Sequence, residues 1–548
     1  MNWRKFLLIG LIFTILFTFI LYPIIVVLIQ SFGNDGEIGI GNYIKVFSDP
    51  YFKQAIINSI PVSLLSSIIS TLLGLIIALV VFKTKLSGRK VFGFAAILPM
   101  VIPGFALTLA YVFLFGRNGL ITYKLLNITW NIYSWRSVLI LQGLSISTTF
   151  FLISSVLVGV DSRVEDAARN LGSSEWKVFT TVTLPLIFPA VISSMLLAFL
   201  RSLADFSTPY ILGGSFNTLA TEAYSQLIGT YNTPLASALS MILLIISILV
   251  FWLYTRSQKS SEKVRTKSEG QPPKMLKLGK VISGLMWLVS FLYTIVIVLL
   301  LAAIVLSAFT KYLGGDFELT LEHIKILPNR GWNSTRNSLI FASITSFIVT
   351  AFGLVLAYIR TRFNFKANRF LDLLATMPYA IPGTFMGIGY ALAFSRKPLL
   401  LSGTWMIVVA CTVIREIPMG LRAGVNVLMQ QDRSVEDAAA NLGASKLRAF
   451  FDIIVPAARP AILVTSLYAF IATVKTLGAI IFLMTPSNKV LSSDVFEATV
   501  RGDIGEASAL SLVVILVCAV GMLLIYAINS REAAQKWFRN TIANITTK

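Results

Sequence analysis

Twelve long apolar runs constrain the fold of this chain more than any other feature of its sequence. A helix of about 20 apolar residues crosses the hydrocarbon core of a membrane. Inside hydrocarbon each backbone N–H and C=O group must find its partner within the segment, so we interpret the runs as helices. Soluble domains carry about 25% charged residues, whereas this chain of 548 residues carries 13%. We predict an all-α integral membrane protein whose twelve spans cover residues 6–30, 56–82, 91–115, 137–160, 187–212, 235–254, 280–309, 336–359, 370–394, 403–428, 459–483 and 508–528.

The basic residues predict the orientation of these spans. If both termini are cytoplasmic, the cytoplasmic segments hold 29 of the 46 Lys and Arg residues and the outer loops hold 13. The acidic residues divide equally, with 11 on each side. This is the positive-inside pattern of multi-pass membrane proteins. The net charge of +21 therefore reflects membrane topology, and we expect no nucleic-acid partner, since the chain has no basic soluble domain.

The chain repeats itself. Residues 164–191 and 435–462 align without a gap and are identical at 13 of 28 positions. We therefore predict two parallel six-helix repeats related by a pseudo-twofold axis along the membrane normal. The first half would be residues 1–254 and the second 281–548, joined by a basic cytoplasmic linker, 255–280, which could also contact anionic membrane lipid. Nearer the start of each half the offset is 279, and it relates Asn58-Ser59 to Asn337-Ser338, Gly74 to Gly353, Pro99 to Pro378, and Pro103-Gly104 to Pro382-Gly383.

The strongest motif lies in the repeated cytoplasmic loop. Residues 165–170 favour a helix, and the small Ala167 and Ala168 allow a partner to approach closely. Gly172 can end that helix in a left-handed cap, and Ser174 can begin a second short helix. We expect a helix–turn–helix on the membrane surface in each half. Twin copies favour docking of a twofold partner; the alternative is a hairpin that only stabilises its own bundle.

This repeated segment, V-E-D-A-A-x-N-L-G followed by a proline-containing return, resembles the glutamate-alanine-alanine loop of binding-protein-dependent ABC importer permeases. Family members often have Glu where this chain has Asp166 and Asp437. The resemblance implies the type I ABC importer permease fold in a bacterial plasma (inner) membrane. It implies two partners, an ABC ATPase subunit in two copies and an extracytoplasmic substrate-binding protein. The implied ATPase-coupling residues are Glu165, Asp166, Ala167, Ala168, Gly172, Glu436, Asp437, Ala438, Ala439 and Gly443.

Within this interpretation we expect Glu165 and Glu436 to lie at the ATPase interface, near basic groups of that subunit. The chain itself has no G-x-x-x-x-G-K-[ST] phosphate-binding loop. We therefore expect a transport subunit without enzyme activity or a cofactor of its own, with ATP bound by the partner subunits. We also expect no metal site, because Cys411 and Cys518 lie inside apolar runs and His323 stands alone in a polar loop.

The substrate is less strongly indicated. Residues 203–209 (LADFSTP), 212–214 (LGG), 481–486 (IFLMTP) and 502–507 (GDIGEA) resemble the ferric-iron branch of the same family. That resemblance implies ferric iron as the substrate. Importers of aminoethylphosphonate, phosphorylated sugars, thiamine or polyamines remain alternatives. An ion-coupled secondary transporter is an alternative of another class, but it would have intramembrane charge relays and no twin coupling loops.

Two sets of residues are predicted to line the pathway. The paired interruptions of the third and ninth spans either are tolerated kinks or mark the pathway at equivalent places. Three of the charged residues inside spans are candidates as well: Asp205 either pairs with Arg201 on its own helix or reaches Lys475 across the interface between halves. The candidate pathway or gate residues are Pro99, Pro103, Gly104, Pro378, Pro382, Gly383, Arg201, Asp205 and Lys475.

Overall fold

A computed structural model describes residues 3–34, 37–265, 275–276, 279–311, 318–363 and 365–546 of the chain. Its described part is helical, apart from a two-residue antiparallel ladder between Gly33–Asn34 and Glu37–Ile38. The α-helices of the first half are Trp3–Leu16, Tyr22–Ser31, Gly41–Ser48, Pro50–Lys83, Arg89–Val101, Gly104–Phe115, Trp135–Leu144, Ser147–Val158, Ser162–Asn170, Glu175–Val178, Leu184–Leu203, Ser207–Leu212, Leu219–Tyr224 and Thr233–Arg265.

The second half repeats this order of helices. Short π-helical turns, such as Phe179–Thr183 and Phe450–Ile454, lead from the cytoplasmic loop of each half back into the membrane. The α-helices of the second half are Lys280–Ala308, Glu322–Arg330, Trp332–Arg362, Asn368–Thr376, Gly383–Ala393, Trp405–Gln430, Arg433–Asn441, Lys446–Ala449, Val455–Ala457, Arg459–Lys475, Leu491–Val500 and Ile504–Thr546.

The all-α prediction is confirmed, whereas the count of twelve spans stays a prediction. In the described ranges nine helices are long and apolar enough to cross a membrane, and a bent pair, Lys446–Ala457 with Ala461–Lys475, makes up to ten. The two remaining predicted spans, the ninth and the tenth, are not long and apolar enough to be counted. The ninth is broken, with Gly383–Ala393 as its longest piece. The tenth is one helix, Trp405–Gln430, but it carries three charged side chains, Arg415, Glu416 and Arg422.

Both predicted proline–glycine interruptions are breaks in a helix rather than mild kinks. In the third span the helix ends at Val101 and the next begins at Gly104, with Pro103 extended between them. In the ninth span a single 3-10 turn, Met377–Tyr379, precedes Pro382, and a new helix begins at Gly383. A proline has no N–H to continue the ladder and disfavours a helical residue before it.

The repeated glycines of the second and eighth spans allow close helix packing. A Cβ on Gly74 would lie 2.6 Å from Thr149 Oγ1, on the fourth span. A Cβ on Gly353 would lie 2.6 Å from the backbone carbon of Gly420, on the tenth. Helices in membranes associate through small residues of this kind. The second and fourth spans of the first half, and the eighth and tenth spans of the second half, therefore pack closely against each other at a glycine.

The first helix of each half packs against the opposite half. In the first span, the Phe19 carbonyl accepts a hydrogen bond of 2.7 Å from the Tyr390 hydroxyl. In the seventh span, Trp287 Nε1 donates to the Ser87 carbonyl at 3.1 Å, and the Tyr293 hydroxyl donates to the Leu144 carbonyl at 3.2 Å. This exchange joins the two repeats into one bundle.

The linker predicted at 255–280 begins as helix, because the helix of the sixth span continues to Arg265. Residues 266–274 and 277–278 of the linker lie outside the described residues, so its contact with membrane lipid stays a prediction. The backbone N–H of Leu276 donates to the Lys83 carbonyl at 2.7 Å. The described end of the linker is therefore attached to the C-terminal end of the second span.

Candidate functional site

The repeated cytoplasmic loop folds as the predicted pair of short helices in the first half. The Asp161 side chain accepts a hydrogen bond from the Arg163 N–H and begins the helix Ser162–Asn170. Gly172 ends it with φ +82°. The N–H groups of Gly172 and Ser173 return to the carbonyls of Arg169 and Ala168, which is the Schellman arrangement. Ser174 then caps the second helix, Glu175–Val178.

The second copy has the same local geometry. Asp432 caps Arg433–Asn441 through the Ser434 N–H at 3.0 Å. Gly443 ends this helix with φ +84°, and Ser445 caps Lys446–Ala449. Because the two copies share their capping residues, their sequences fix the helix–turn–helix shape locally.

The acidic residues of the motif face in different directions, and one expectation was wrong. The Glu165 side chain is fully buried and pairs with the buried Lys83 ammonium at 2.7 Å. The Thr183 hydroxyl also donates to Glu165 Oε1, at 2.8 Å. Glu165 therefore holds the loop to its own bundle, and its carboxylate is not exposed at the loop surface in this structure. A buried carboxylate needs an internal cation because an isolated charge is too costly to desolvate.

Glu436 makes the equivalent contact in the second half, but less deeply. Arg362 Nε lies 2.6 Å from Glu436 Oε1, with side-chain exposures of 10% and 16%. The Tyr358 hydroxyl adds a hydrogen bond of 3.4 Å. Lys83 and Arg362 are separated by the repeat offset of 279. Each half therefore ends its second or eighth span with a cation that pairs with the motif's first carboxylate.

Arg169 braces the first loop and has no counterpart in the second. Its guanidinium lies 2.9 Å from Asp166 Oδ1 and 3.1 Å from Glu175 Oε1. The hydrogen bonds to Glu175 and Asp166 hold the pKa of Arg169 above its ordinary value, against desolvation. At the equivalent positions the second loop has Ala440 and Lys446.

Large apolar side chains project from both loops. Leu171 is 87% exposed and Leu442 is 90% exposed, each one residue before the capping glycine. The motif alanines Ala167 and Ala438 are exposed beside them, whereas Ala168 and Ala439 are half-buried. Asp437 is exposed and Asp166 is half-buried. An apolar, acid-rimmed surface of this kind is typical of a protein interface.

Hydrogen bonds lower the pKa values of the two capping aspartates, Asp161 and Asp432. The side chain and backbone N–H of Arg163 lower the pKa of Asp161 below its ordinary value. The Ser434 backbone N–H does the same for the pKa of Asp432. Both carboxylates therefore stay ionised at the start of a helix, where negative charge is favoured.

The predicted intramembrane ion pairs do not form among the described residues. Asp205 Oδ1 accepts from the Ser207 hydroxyl and from the N–H groups of Ser207 and Thr208, so it starts the next helix. Gln142 Nε2 donates to Asp205 Oδ2 at 3.1 Å. Arg201 donates to the carbonyls of Gln142 and Ser145, where the fourth span is broken. Arg201 and Asp205 are therefore linked through Gln142, without a direct bond.

Lys475 also binds backbone, so the predicted Lys475–Asp205 bond was wrong. Its ammonium donates to the carbonyl of Met100, beside the break in the third span. This bond does cross between the halves. Carbonyls freed by a broken helix in hydrocarbon need a donor, and a cation at a helix C-terminus is favoured by the helix dipole. The two cations Arg201 and Lys475 thus stabilise broken spans.

Sequence reasoning missed the charged pair Arg415 and Glu416 in the tenth span. Arg415 Nε lies 3.9 Å from Glu416 Oε1. A Cβ on Gly383 would collide with Arg415 Nη1, so the guanidinium lies against the break in the ninth span. Two adjacent charges inside an apolar run were the available signal, since such residues are rarely placed in a membrane without a role.

Known proteins share this architecture. Residues 70–263 and 350–532 each match the family model described as the binding-protein-dependent transport system inner membrane component. The ferric transport system permease protein FbpB of Actinobacillus pleuropneumoniae is 31% identical over 92% of this chain and 75% of that protein. Putative ferric transport system permease protein FbpB 1 of Haemophilus influenzae is 31% identical over 89% of this chain and 80% of its own length. The molybdenum transport system permease protein ModB of Escherichia coli is 32% identical over 38% of this chain and 95% of that protein.

One match to the family model falls in each half, as the internal repeat requires. The identity to the ferric permeases extends through both halves rather than through one domain. The chain therefore belongs to the family of binding-protein-dependent transport system inner membrane components, as a fused permease with two copies of the family's domain.

Proposed function

We propose that this chain forms the translocation pathway of an ATP-driven ferric iron importer and couples it to separate ATPase subunits through the two cytoplasmic loops. The support for ferric iron is similarity: two relatives named as ferric transport permeases match nearly the whole chain. The matched molybdenum and sulfate permeases cover only 38% and 36% of this chain, which is less than one half of it. Importers of phosphonate, phosphorylated sugars, thiamine or polyamines remain alternatives within the same class.

The proposal includes twelve spans, both termini in the cytoplasm, and the coupling loops on the cytoplasmic side. The positive-inside pattern supports this orientation. The broken ninth span and the charged tenth span count as membrane spans because their helices pack inside the bundle: Ile388, Tyr390, Cys411 and Ile417 are fully buried. Broken helices are common where a transporter lines its pathway.

The observation that carries the coupling role is the pair of matched, exposed helix–turn–helix loops. Their Leu171 and Leu442 are almost fully exposed, although burying a leucine stabilises by about 1.5–3 kcal/mol. A twofold ATPase dimer would cover both leucines with the same surface, so two copies of one ATPase subunit fit the repeat. An extracytoplasmic substrate-binding protein would deliver the cargo to the opposite face. ATP binding and hydrolysis would belong to the partner subunits.

A secondary transporter is the competing proposal, and the described charges argue against it. Lys475 and Arg201 donate to backbone carbonyls, and Asp205 accepts from backbone and neutral side chains. These groups stabilise broken helices and do not form a chain of acids and bases that could pass protons.

The test is ATPase activity of the reconstituted complex with iron-loaded binding protein. Wild type should show hydrolysis stimulated by loaded binding protein and uptake of iron-55. The double variant Leu171→Asp/Leu442→Asp should lose stimulation and ATPase docking while inserting normally. Leu125→Asp, at a leucine that is 71% exposed in a predicted outer loop, is the matched control and should leave both intact. Normal coupling in the double variant would refute the docking role.

A further inference from the structure

We propose that the break in the ninth span forms a binding site for an oxyanion, built from Arg415, Thr384 and the N-terminus of the helix Gly383–Ala393. The proposal rests on the pathway assigned to this chain under the proposed function. It names the chemistry of the cargo at that point: an oxyanion that either is transported itself or arrives as a ligand of ferric ion.

The helix Gly383–Ala393 begins inside the bundle without a side-chain cap. Its N-cap is Pro382, which has no polar side-chain atom, and the first hydrogen bond to Pro382 comes from the Met386 N–H. The N–H groups of Gly383, Thr384 and Phe385 have no acceptor within the described ranges. A helix N-terminus attracts anions because its free N–H groups can donate to them and the helix dipole places partial positive charge there.

Arg415 supplies a cation at this break. Its Nη1 lies against Gly383, where any Cβ would collide with it. Within the described part of the chain the guanidinium makes no hydrogen bond, and Glu416 Oε1 lies 3.9 Å from its Nε. The side chain is 38% exposed in the middle of a span. The guanidinium of Arg415 therefore keeps its paired donors available, the geometry that suits an oxyanion.

Thr384 is the second, independent sign of a missing partner. The residue is fully buried, and its Oγ1 has no hydrogen-bond partner in the described structure. A buried hydroxyl without a partner loses its bonds to water and gains none in the protein, which is unfavourable. Thr384 directly follows Gly383, on the same helix turn as the free N–H groups. The proposal assigns a bound oxyanion as the acceptor for this hydroxyl and for the helix terminus.

The site lies at the interface between the halves. Ala479 N is 3.3 Å from the position of a Cβ on Gly383, and the adjacent Gly478 faces Phe206 of the first half. The first half lacks an equivalent site. The repeat offsets place Phe105 where the second half has Thr384 and Leu144 where it has Arg415. The cargo would therefore meet one asymmetric site rather than two equal ones.

The surrounding charges leave a cationic surplus at this level. Lys475 interacts electrostatically with Glu416 and with Arg201 of the first half. Arg201 and Lys475 donate hydrogen bonds to backbone carbonyls, which leaves their positive charges without an acidic partner. The negative charge of Glu416 offsets one of the cations. Three cations against Glu416 and Asp205 give a local charge of +1 before cargo arrives. A naked metal cation would be repelled here, whereas an oxyanion would be attracted.

The binding test uses the purified full-length chain in detergent, with sodium phosphate as the probe and sodium chloride at matched ionic strength as the reference. Phosphate should raise the melting temperature of wild type but not of Arg415→Gln. Arg422→Gln is the matched control, because it removes an arginine of the same helix that is paired with Asp372 at 3.7 Å; it should respond as wild type does. Equal phosphate stabilisation of wild type and Arg415→Gln would overturn the site.

Thr384→Val keeps the test decisive if Arg415→Gln does not fold. It removes only the unpartnered hydroxyl, so the protein should fold and its phosphate response should fall at least twofold. An unchanged response in Thr384→Val would overturn the proposal in that case.

Uptake in cells distinguishes the two sources of the oxyanion. If it arrives as a ligand of ferric ion, wild type takes up iron-55 but not radiolabelled sulfate or phosphate, and Arg415→Gln lowers iron uptake at least tenfold. If wild type takes up a radiolabelled oxyanion and no iron, the ferric assignment fails but the site stands, provided that Arg415→Gln abolishes that uptake. Full uptake by Arg415→Gln, whichever cargo it carries, would overturn the site.

Discussion

The two cytoplasmic loops have one motif but different anchorage. The first-loop helix, Ser162–Asn170, buries Ser162 and Glu165, whereas Arg433–Asn441 buries no residue. The Lys83–Glu165 pair is sealed from solvent, and the Arg362–Glu436 pair is not. Identical caps therefore give identical local shape, while a few neighbouring positions decide how firmly each loop is held to the bundle.

The two halves therefore differ in how firmly the loop is held, and under the proposed function they would be unequal partners for two copies of one ATPase subunit. The braced first loop is expected to transmit force as part of the bundle. The second loop depends on one partly exposed pair and on whatever docks against it.

The largest effect is expected at the sealed pair. Lys83→Met would remove the cation bonded to the buried Glu165 carboxylate and leave only the Arg169 guanidinium, 4.0 Å from Glu165 Oε2. Breaking a buried pair in this way typically costs about 3–5 kcal/mol. The melting temperature of the purified chain should fall strongly, and the complex should assemble poorly.

Arg362→Met is the matched change in the second half. Its partner Glu436 can reach solvent, so the cost should be only about 1 kcal/mol. Lys83→Met/Glu165→Met should recover much of the stability lost in Lys83→Met, because no charge is then stranded. Equal losses in Lys83→Met and Arg362→Met would refute the difference in anchorage.

The capping glycines should behave alike in both loops. Gly172 and Gly443 have φ near +80°, and a Cβ on either would meet no atom within 4 Å. Replacing either with alanine should therefore cost only the left-handed backbone penalty, about 1–2 kcal/mol. The readout is amide hydrogen exchange of each loop together with ATPase stimulation. A much larger loss in one half would show that its glycine does more than end a helix.

The arginine brace can be moved between loops. Arg169→Ala should cost about 1 kcal/mol and make the first loop resemble the second. The reciprocal change, Ala440→Arg/Lys446→Glu, gives the second loop an arginine and a glutamate beside Asp437, which are the same three groups that form the brace in the first loop. Hydrogen exchange should then quicken in the first variant and slow in the second. Failure of the transplanted brace to slow exchange would mean that burial of Glu165, rather than Arg169, rigidifies the first loop.

The smallest effect is expected from acid. Asp161 and Asp432 have pKa values lowered by their capping hydrogen bonds. Their stabilisation is present above about pH 4, the ordinary aspartate value, and is lost as the pH falls through the lowered folded-state value. Exchange at the first turn of both helices should quicken only below that range. Asp161→Asn and Asp432→Asn, which keep a capping oxygen, should remove this pH dependence; its persistence in them would assign it elsewhere.

Much of this architecture could be predicted from the sequence because it depends on local chemistry. Hydrocarbon forces long apolar runs into helices, and capping residues set helix ends within a few positions. The loops around Gly172 and Gly443 and the breaks before Gly104 and Gly383 were accordingly placed correctly. The repeat is visible in the sequence as identity at fixed offsets, and it predicts that the two halves are parallel.

The bonding partner of each charged side chain was decided only by the tertiary structure. Glu165 turned inward to Lys83, which lies 82 positions earlier, and Lys475 found a carbonyl 375 positions away. A buried ionisable side chain takes the strongest partner within a few ångströms. In this bundle the strong acceptors include backbone carbonyls released by broken helices, and no spacing along the chain reveals which carbonyls those are. The sequence thus determined the helices, the caps and the twofold repeat, while packing between the halves determined which charges stabilise the bundle and which, like Arg415, remain available to a ligand.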